Sequence, residues 1–172
     1  MKLDLGCGQH GPIEGFEGVD KIGPADWVVD LDWGSWPWKD SSVDEIRCSH
    51  LVEHVRDLCG FMREMHRIMK PGGRAEIQHP YQFHVRAWQD PTHVRALNEI
   101  SWFYFDKEWR KPGPYSTSSE FGDTDFVIVE LDAIPDPAFQ DLSDNHPEEF
   151  EKAARQLINV IADIRVVLEC RK

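Results

Sequence analysis

The stretch Met1-Lys-Leu-Asp-Leu-Gly-Cys-Gly-Gln-His-Gly11 decides how the rest of the chain is read. Leu3, Asp4 and Leu5 predict a short apolar strand carrying one carboxylate, and Gly6, Cys7 and Gly8 break it into a tight turn. Glycines at a strand end permit positive φ and let a ligand approach the bare backbone. In an open α/β sheet, the crevice beyond the carboxyl end of such a strand is where nucleotide-like ligands sit. The spacing differs from the dinucleotide turn G-x-G-x-x-G, because His10-Gly11 breaks it and no helix clearly follows.

Outward from this turn, Phe16-Glu-Gly-Val-Asp20 predicts a second strand ending in a carboxylate, and residues 25–30 predict a third. The segments between them are too short for crossover helices, which take a dozen or more residues. Residues 43–49 form a fourth strand. From Asp57, Leu58, Phe61, Met62, Met65, Ile68 and Met69 recur at helical steps until Lys70-Pro-Gly-Gly73 stops the pattern. Residues 74–78, 125–132 and 163–170 complete the strands, and residues 147–160 predict a helix with Phe150, Ala154, Leu157, Ile158 and Ile161 on one side. The linker between Ile134 and His146 is expected to be exposed. The expected fold is α/β: a doubly wound, mostly parallel sheet with its last strand antiparallel and a reduced helical layer. A meander of the first strands is the alternative. Residues 81–123, irregular and polar, with Lys111-Pro-Gly-Pro114 near their end, read as a substrate loop or lid.

A chain of 172 residues suits one domain over residues 1–172. With 19 Lys and Arg against 31 Asp and Glu, its net charge of −12 argues against a nucleic-acid partner. Cys7, Cys48, Cys59 and Cys170 are scattered without a C-x-x-C pair, as reduced thiols of a cytoplasmic protein would be. No apolar run approaches a membrane span, so no membrane partner is expected.

Leu3-Asp-Leu-Gly-Cys-Gly8, Gly18-Val-Asp20 and Val29-Asp-Leu31 are followed by Ser42-Val-Asp-Glu-Ile46, Ser49-His-Leu-Val-Glu-His54 and Arg63-Glu-Met-His-Arg-Ile-Met-Lys-Pro-Gly-Gly73. This ordered series, over roughly residues 1 to 80, resembles the class I S-adenosylmethionine (SAM) methyltransferases of type 11. The chain departs from them in lacking the first helix and in its abbreviated second and third crossovers.

The resemblance implies a Rossmann-like fold with SAM as cofactor. It implies that the backbone of Gly6, Cys7 and Gly8 lies beside the amino-acid end of SAM, with Asp4 organising the turn or holding the ammonium through water. Asp20 would take the ribose hydroxyls, Asp30 the adenine amino group and the Leu31 amide a ring nitrogen. Ser49 and His50 would flank the methionine part, with Glu53 and His54 mainly structural. The methyl acceptor is expected to be a small molecule or sugar-like, meeting the chain around Asp90-Pro-Thr-His-Val-Arg95. His93 is the first candidate base, His79 the second, with Asp90 assisting, because histidine takes protons near neutral pH. The alternative at that loop is a turn made by Asp90 and Thr92, with His93 packed against an aromatic ring.

Other readings remain open. His50-Leu-Val-Glu-His54 also matches the inverted zinc-hydrolase motif H-x-x-E-H, although no third ligand is evident. A metal at His79, His84, Asp90 and His93 is conceivable on ligand type alone. Our expectation is no metal. A SAM-binding scaffold without turnover is a third possibility, and the thin covering of the sheet suggests a homodimer that buries an exposed face. Trp33, Trp36 and Trp38, like Phe103, Tyr104 and Phe105, are expected to cover the sheet where helices are missing.

Overall fold

Period-two alternation sets the two faces of the sheet. Strand β1 (Lys2–Leu5) sends Leu3 and Leu5, both fully buried, to one side and Lys2 and Asp4 to the other. The computed structural model describes residues 1–111 and 119–172. Among these, the alternation runs on through β2 (Glu17–Asp20), β3 (Trp27–Val28), β4 (Val43–Ser49), β5 (Met69–Pro80), β6 (Phe126–Pro135) and β7 (Ile161–Cys170). The strand order is β3-β2-β1-β4-β5-β7-β6. All are parallel except β7, which runs antiparallel to both β5 and β6. This is the expected mixed α/β sheet, and a meander is excluded. The order reverses between β1 and β4, the kind of switch point at which open α/β sheets bind ligands.

One face is dry. Helix α1 (Leu58–Ile68), capped by Asp57 through the Gly60 amide at 2.8 Å, lays Phe61, Met62, Met65 and Ile68 into the core with Leu3, Leu5, Ile46 and Ile77. The tryptophan loop completes this layer. Trp36 meets Phe61 edge-on at 5.0 Å and Trp38 packs against Trp27 at 5.6 Å. Trp33, by contrast, is 67% exposed and covers nothing. The loop is fastened by the charged side of α1. Glu64 accepts the Trp36 amide at 2.7 Å, and Arg67 donates to the carbonyls of Trp36 and Trp38 and to Asp40. A 3-10 turn (Glu99–Phe105) adds the buried Trp102 and Phe105 to the same core.

The other face is wet. Lys2 pairs with Glu45, Arg47 with Asp4 and Arg165 with Asp132 in register across neighbouring strands, and Arg165 also reaches Glu76 and Glu130 diagonally. Between β1 and β2 only a three-residue 3-10 turn (Gly8–His10) stands where a crossover helix would. A dimer that buries a bare apolar sheet face therefore lacks its premise, because this face carries ion pairs instead.

Several expectations change. Strand β3 is two residues long, since Asp26 turns aside to accept the Gly18 amide at 2.7 Å. Strand β5 begins at Met69, which pairs with Val43 before a bulge at Lys70-Pro-Gly-Gly73. Helix α5 (Pro147–Gln156) ends earlier than its periodicity predicts and buries no residue. It packs chiefly on α4 (Gln140–Asn145), leaving Leu157 and Ile158 56% and 69% exposed. Residues 81–123, expected as a substrate loop or lid, hold α2 (Arg86–Gln89) and α3 (Lys107–Arg110), and residues 112–118 lie outside the described ones. Among the described residues no helix is long and apolar enough to cross a membrane.

Replacing Arg67 with Ala removes the clamp on both tryptophan carbonyls. The expected loss is about 2 kcal/mol of unfolding free energy, the scale of one charged hydrogen bond, measured by urea denaturation with tryptophan fluorescence.

Candidate functional site

Strands β1 and β2 end side by side, and their junction builds the site. The Val19 carbonyl accepts the amides of Gly6 at 2.7 Å and Cys7 at 3.2 Å. Gly6 has φ +72°, and a Cβ there would lie 3.2 Å from Leu51, so both conformation and space require glycine. The Asp20 carboxylate accepts the Gly8 amide at 2.9 Å and the Ile22 amide at 3.1 Å, one on each oxygen. A carboxylate oxygen has two acceptor sites, so each keeps one for a ligand. Asp4, 2% exposed, accepts the Ile13 amide and the Arg47 guanidinium. It organises the turn from the sheet's charged face.

Beyond these strand ends lies a cleft of about 680 Å³. Gly6, Asp20, Asp30, Leu31 and His50 line it, as expected of cofactor-binding residues. His54 also lines it, as a residue expected to pack near the cofactor pocket, and so do Lys21, Asp32, Leu51, Val55 and Arg56, which were not foreseen. Asp4, Cys7, Gly8 and Ser49, also expected to bind the cofactor, are not among the lining residues. The opposite wall is the 90–95 loop, through Pro91, Thr92 and Val94.

That loop is pinned to the turn after β4. The Val94 amide donates to the Glu53 carbonyl at 2.9 Å, and Arg95 donates to the carbonyls of Val52, Val55 and Arg56. Asp90 accepts both the amide and the hydroxyl of Thr92, at 2.8 and 2.7 Å, and these bonds hold its carboxyl below the usual range. The His93 ring packs edge-on against His54 at 4.6 Å, with Nδ1 3.1 Å from the Ala87 carbonyl.

At the end of β4, His50 has φ +53° and stands between two buried carboxylates. Its Nδ1 lies 3.4 Å from Glu53 and its Nε2 3.5 Å from Asp163. Burial pushes the Glu53 carboxyl up, but the His50 ring, the Glu53 backbone amide and His54 together hold the group below its ordinary value. Asp163 also accepts from Gln78 at 2.8 Å and faces Arg86 at 3.4 Å.

A family model described as a methyltransferase domain matches residues 19–77, from β2 to β5. No curated protein matches the sequence. A SAM-dependent methyltransferase from Archaeoglobus fulgidus is 20% identical with a TM-score of 0.63, over 98% of this chain and 85% of that one. A chain from the complex of the Haloferax volcanii Trm112 methyltransferase activator with a methyltransferase is 19% identical with a TM-score of 0.60, over 99% and 82%. The 1,6-didemethyltoxoflavin-N1-methyltransferase of Burkholderia thailandensis, solved with its substrate and S-adenosylhomocysteine, is 12% identical with a TM-score of 0.57, over 99% and 71%. The matched segment spans about a third of the chain, and the likenesses, all at 20% identity or less, show that it has the class I methyltransferase fold.

Within this fold the expected bases fare differently from the expected cofactor residues. His79 is fully buried: Trp102 donates to its Nε2 at 3.0 Å, and its Nδ1 donates to the Pro80 carbonyl at 2.9 Å. Burial also holds it neutral, so it ties β5 to the Trp102 turn and is no base for an external acceptor. His93 and Asp90 are occupied within their loop, which is the turn-and-packing arrangement, and neither lines the cleft. The H-x-x-E-H segment is not helical, so its histidines do not project together from one helix face. His84 pairs with Asp136 at 3.1 Å and His79 sits in the interior, so the four residues His79, His84, Asp90 and His93 form no common site.

Substituting Arg95 with Ala leaves three carbonyls of the 50–56 turn without their guanidinium. A loss of roughly 2–3 kcal/mol is expected, with hydrogen exchange accelerated at residues 50–56 and 90–95.

Proposed function

We propose that the chain, acting as a single domain over residues 1–172, binds SAM in this cleft and transfers its methyl group to an oxygen or nitrogen of a small-molecule or sugar-like acceptor. The observation that carries the reading is Asp20. It is a strand-end carboxylate fixed by the Gly8 amide beside the glycine turn, with acceptor capacity left toward the cleft. Such a carboxylate suits a ribose diol. Gly6 gives bare backbone to the amino-acid end, Asp30 an acceptor for an exocyclic amine and Leu31 an amide for a ring nitrogen. Asp20, Asp30 and Asp32 outnumber Lys21 and Arg56 in the lining, a balance that suits a sulfonium cation, and the chain's net charge of −12 disfavours a nucleic-acid acceptor.

Bound SAM supplies an activated methyl group, so the protein's work is positioning and proton removal. His50 takes the acceptor's proton in place of His93 or His79, because of these three it alone lines the cleft. Glu53 and Asp163 flank its ring and stabilise the imidazolium that forms.

Calorimetric titration with S-adenosylhomocysteine tests the reading. Binding at micromolar concentration is expected, weakened about tenfold or more by Asp20→Ala, which corresponds to a loss of about 1.4 kcal/mol. Absence of binding by folded protein overturns it.

A further inference from the structure

At the cleft wall that His54 lines, three groups that can each supply a metal ligand converge. Glu53, His54 and His93 can each place one ligand atom within 4.8 Å of the other two. Glu53 is 3% exposed, and neither of its carboxylate oxygens has a hydrogen-bond partner, its nearest donor being His50 Nδ1 at the ion-pair distance of 3.4 Å.

The imidazole tautomers follow from their other partners. The Thr92 hydroxyl donates its hydrogen to Asp90 and so accepts from His54 Nδ1, 3.0 Å away. His93 Nδ1 lies 3.1 Å from the Ala87 carbonyl, which can only accept. Both rings therefore carry their proton on Nδ1 and keep the Nε2 lone pair bare. A second nitrogen committed to a carbonyl or hydroxyl is the usual outer support of a metal-bound histidine. The set is completed by Asp90, whose second oxygen lies 3.9 Å from His93 Nε2.

The geometry points to a divalent transition-metal site formed by Glu53, His54 and His93, two nitrogens and one oxygen of the kind that holds zinc or cobalt. Donors around zinc stand about 3.4 Å apart, which small rotations of the two rings and the carboxylate supply. The ion would bridge the turn after β4 to the 90–95 loop, the two walls that the Val94 amide and Arg95 already join. The third ligand that H-x-x-E-H lacked in the sequence is His93, from a loop some forty residues on (roughly one lid segment), and His50 is not needed.

The test is metal binding by chelator-treated full-length protein, independent of SAM. One equivalent of Co²⁺ is expected to give a visible d–d band, displaced by one equivalent of Zn²⁺. His93→Ala and Glu53→Gln are each expected to weaken binding on the order of 100-fold, with circular dichroism melts reporting that the variants fold. Should a variant fail to fold, the imidazole proton resonances of wild-type protein decide: zinc is expected to shift those of His54 and His93 and leave those of His10 and His146 in place. No stoichiometric cobalt binding, binding that both folded variants retain, or shifts confined to other histidines overturns the site.

Discussion

The Val19 carbonyl receives the amides of both Gly6 and Cys7, and the geometry of the cleft depends on that convergence. It folds the turn after β1 across the end of β2, which brings the Gly8 amide onto Asp20. Gly6 and Gly18 are the tight points of this junction. A Cβ on Gly6 meets Leu51, and one on Gly18 would lie 2.9 Å from both Cys7 and Pro12. The turn thus stays rigid with only a three-residue 3-10 segment following it.

The missing helices leave one face of the sheet to water, an unusual state for parallel strands, which mostly lie buried on both sides. The chain meets it with side-chain alternation. In β4, Val43, Ile46 and Cys48 face the core while Glu45 and Arg47 face outward into ladders of opposite charge. Exposed pairs of this kind contribute little stability each. Their larger effect is to keep the open face from being sticky. Stability must come from the dry face, which explains the use of tryptophan there: Trp36 and Trp38 fill with two side chains what a helix would cover.

Much of this was legible in the sequence because it is local. The glycine turn, the α1 stripe that begins after Asp57, the boundaries of β4 and the end of β7 follow from patterns within about ten residues. The cleft residues at the strand ends were legible for the same reason, since Asp20 closes β2 and Asp30 and Leu31 follow β3 within three residues. The acceptor side was not. His79 and His93 look alike as imidazoles in a polar segment, and only tertiary contacts with Trp102 and His54 show that one is interior and the other committed to its loop. The pairing of His50 with Asp163 joins positions far apart in the chain through the β5–β7 ladder, and no periodicity carries that signal. Helix α5 failed in the opposite sense: its apolar stripe is real, but an insertion between β6 and β7 gives it no sheet to cover.

The central claim is that one cleft, floored by the glycine turn and roofed by the 90–95 loop, is where SAM binds. Hydrogen–deuterium exchange with and without S-adenosylhomocysteine tests it most directly. The account predicts added protection together at residues 4–8, 18–22, 29–32, 50–56 and 90–95, with β6 and α5 unchanged. Protection that leaves out the 90–95 loop and the glycine turn, or that falls elsewhere on the chain, would contradict it.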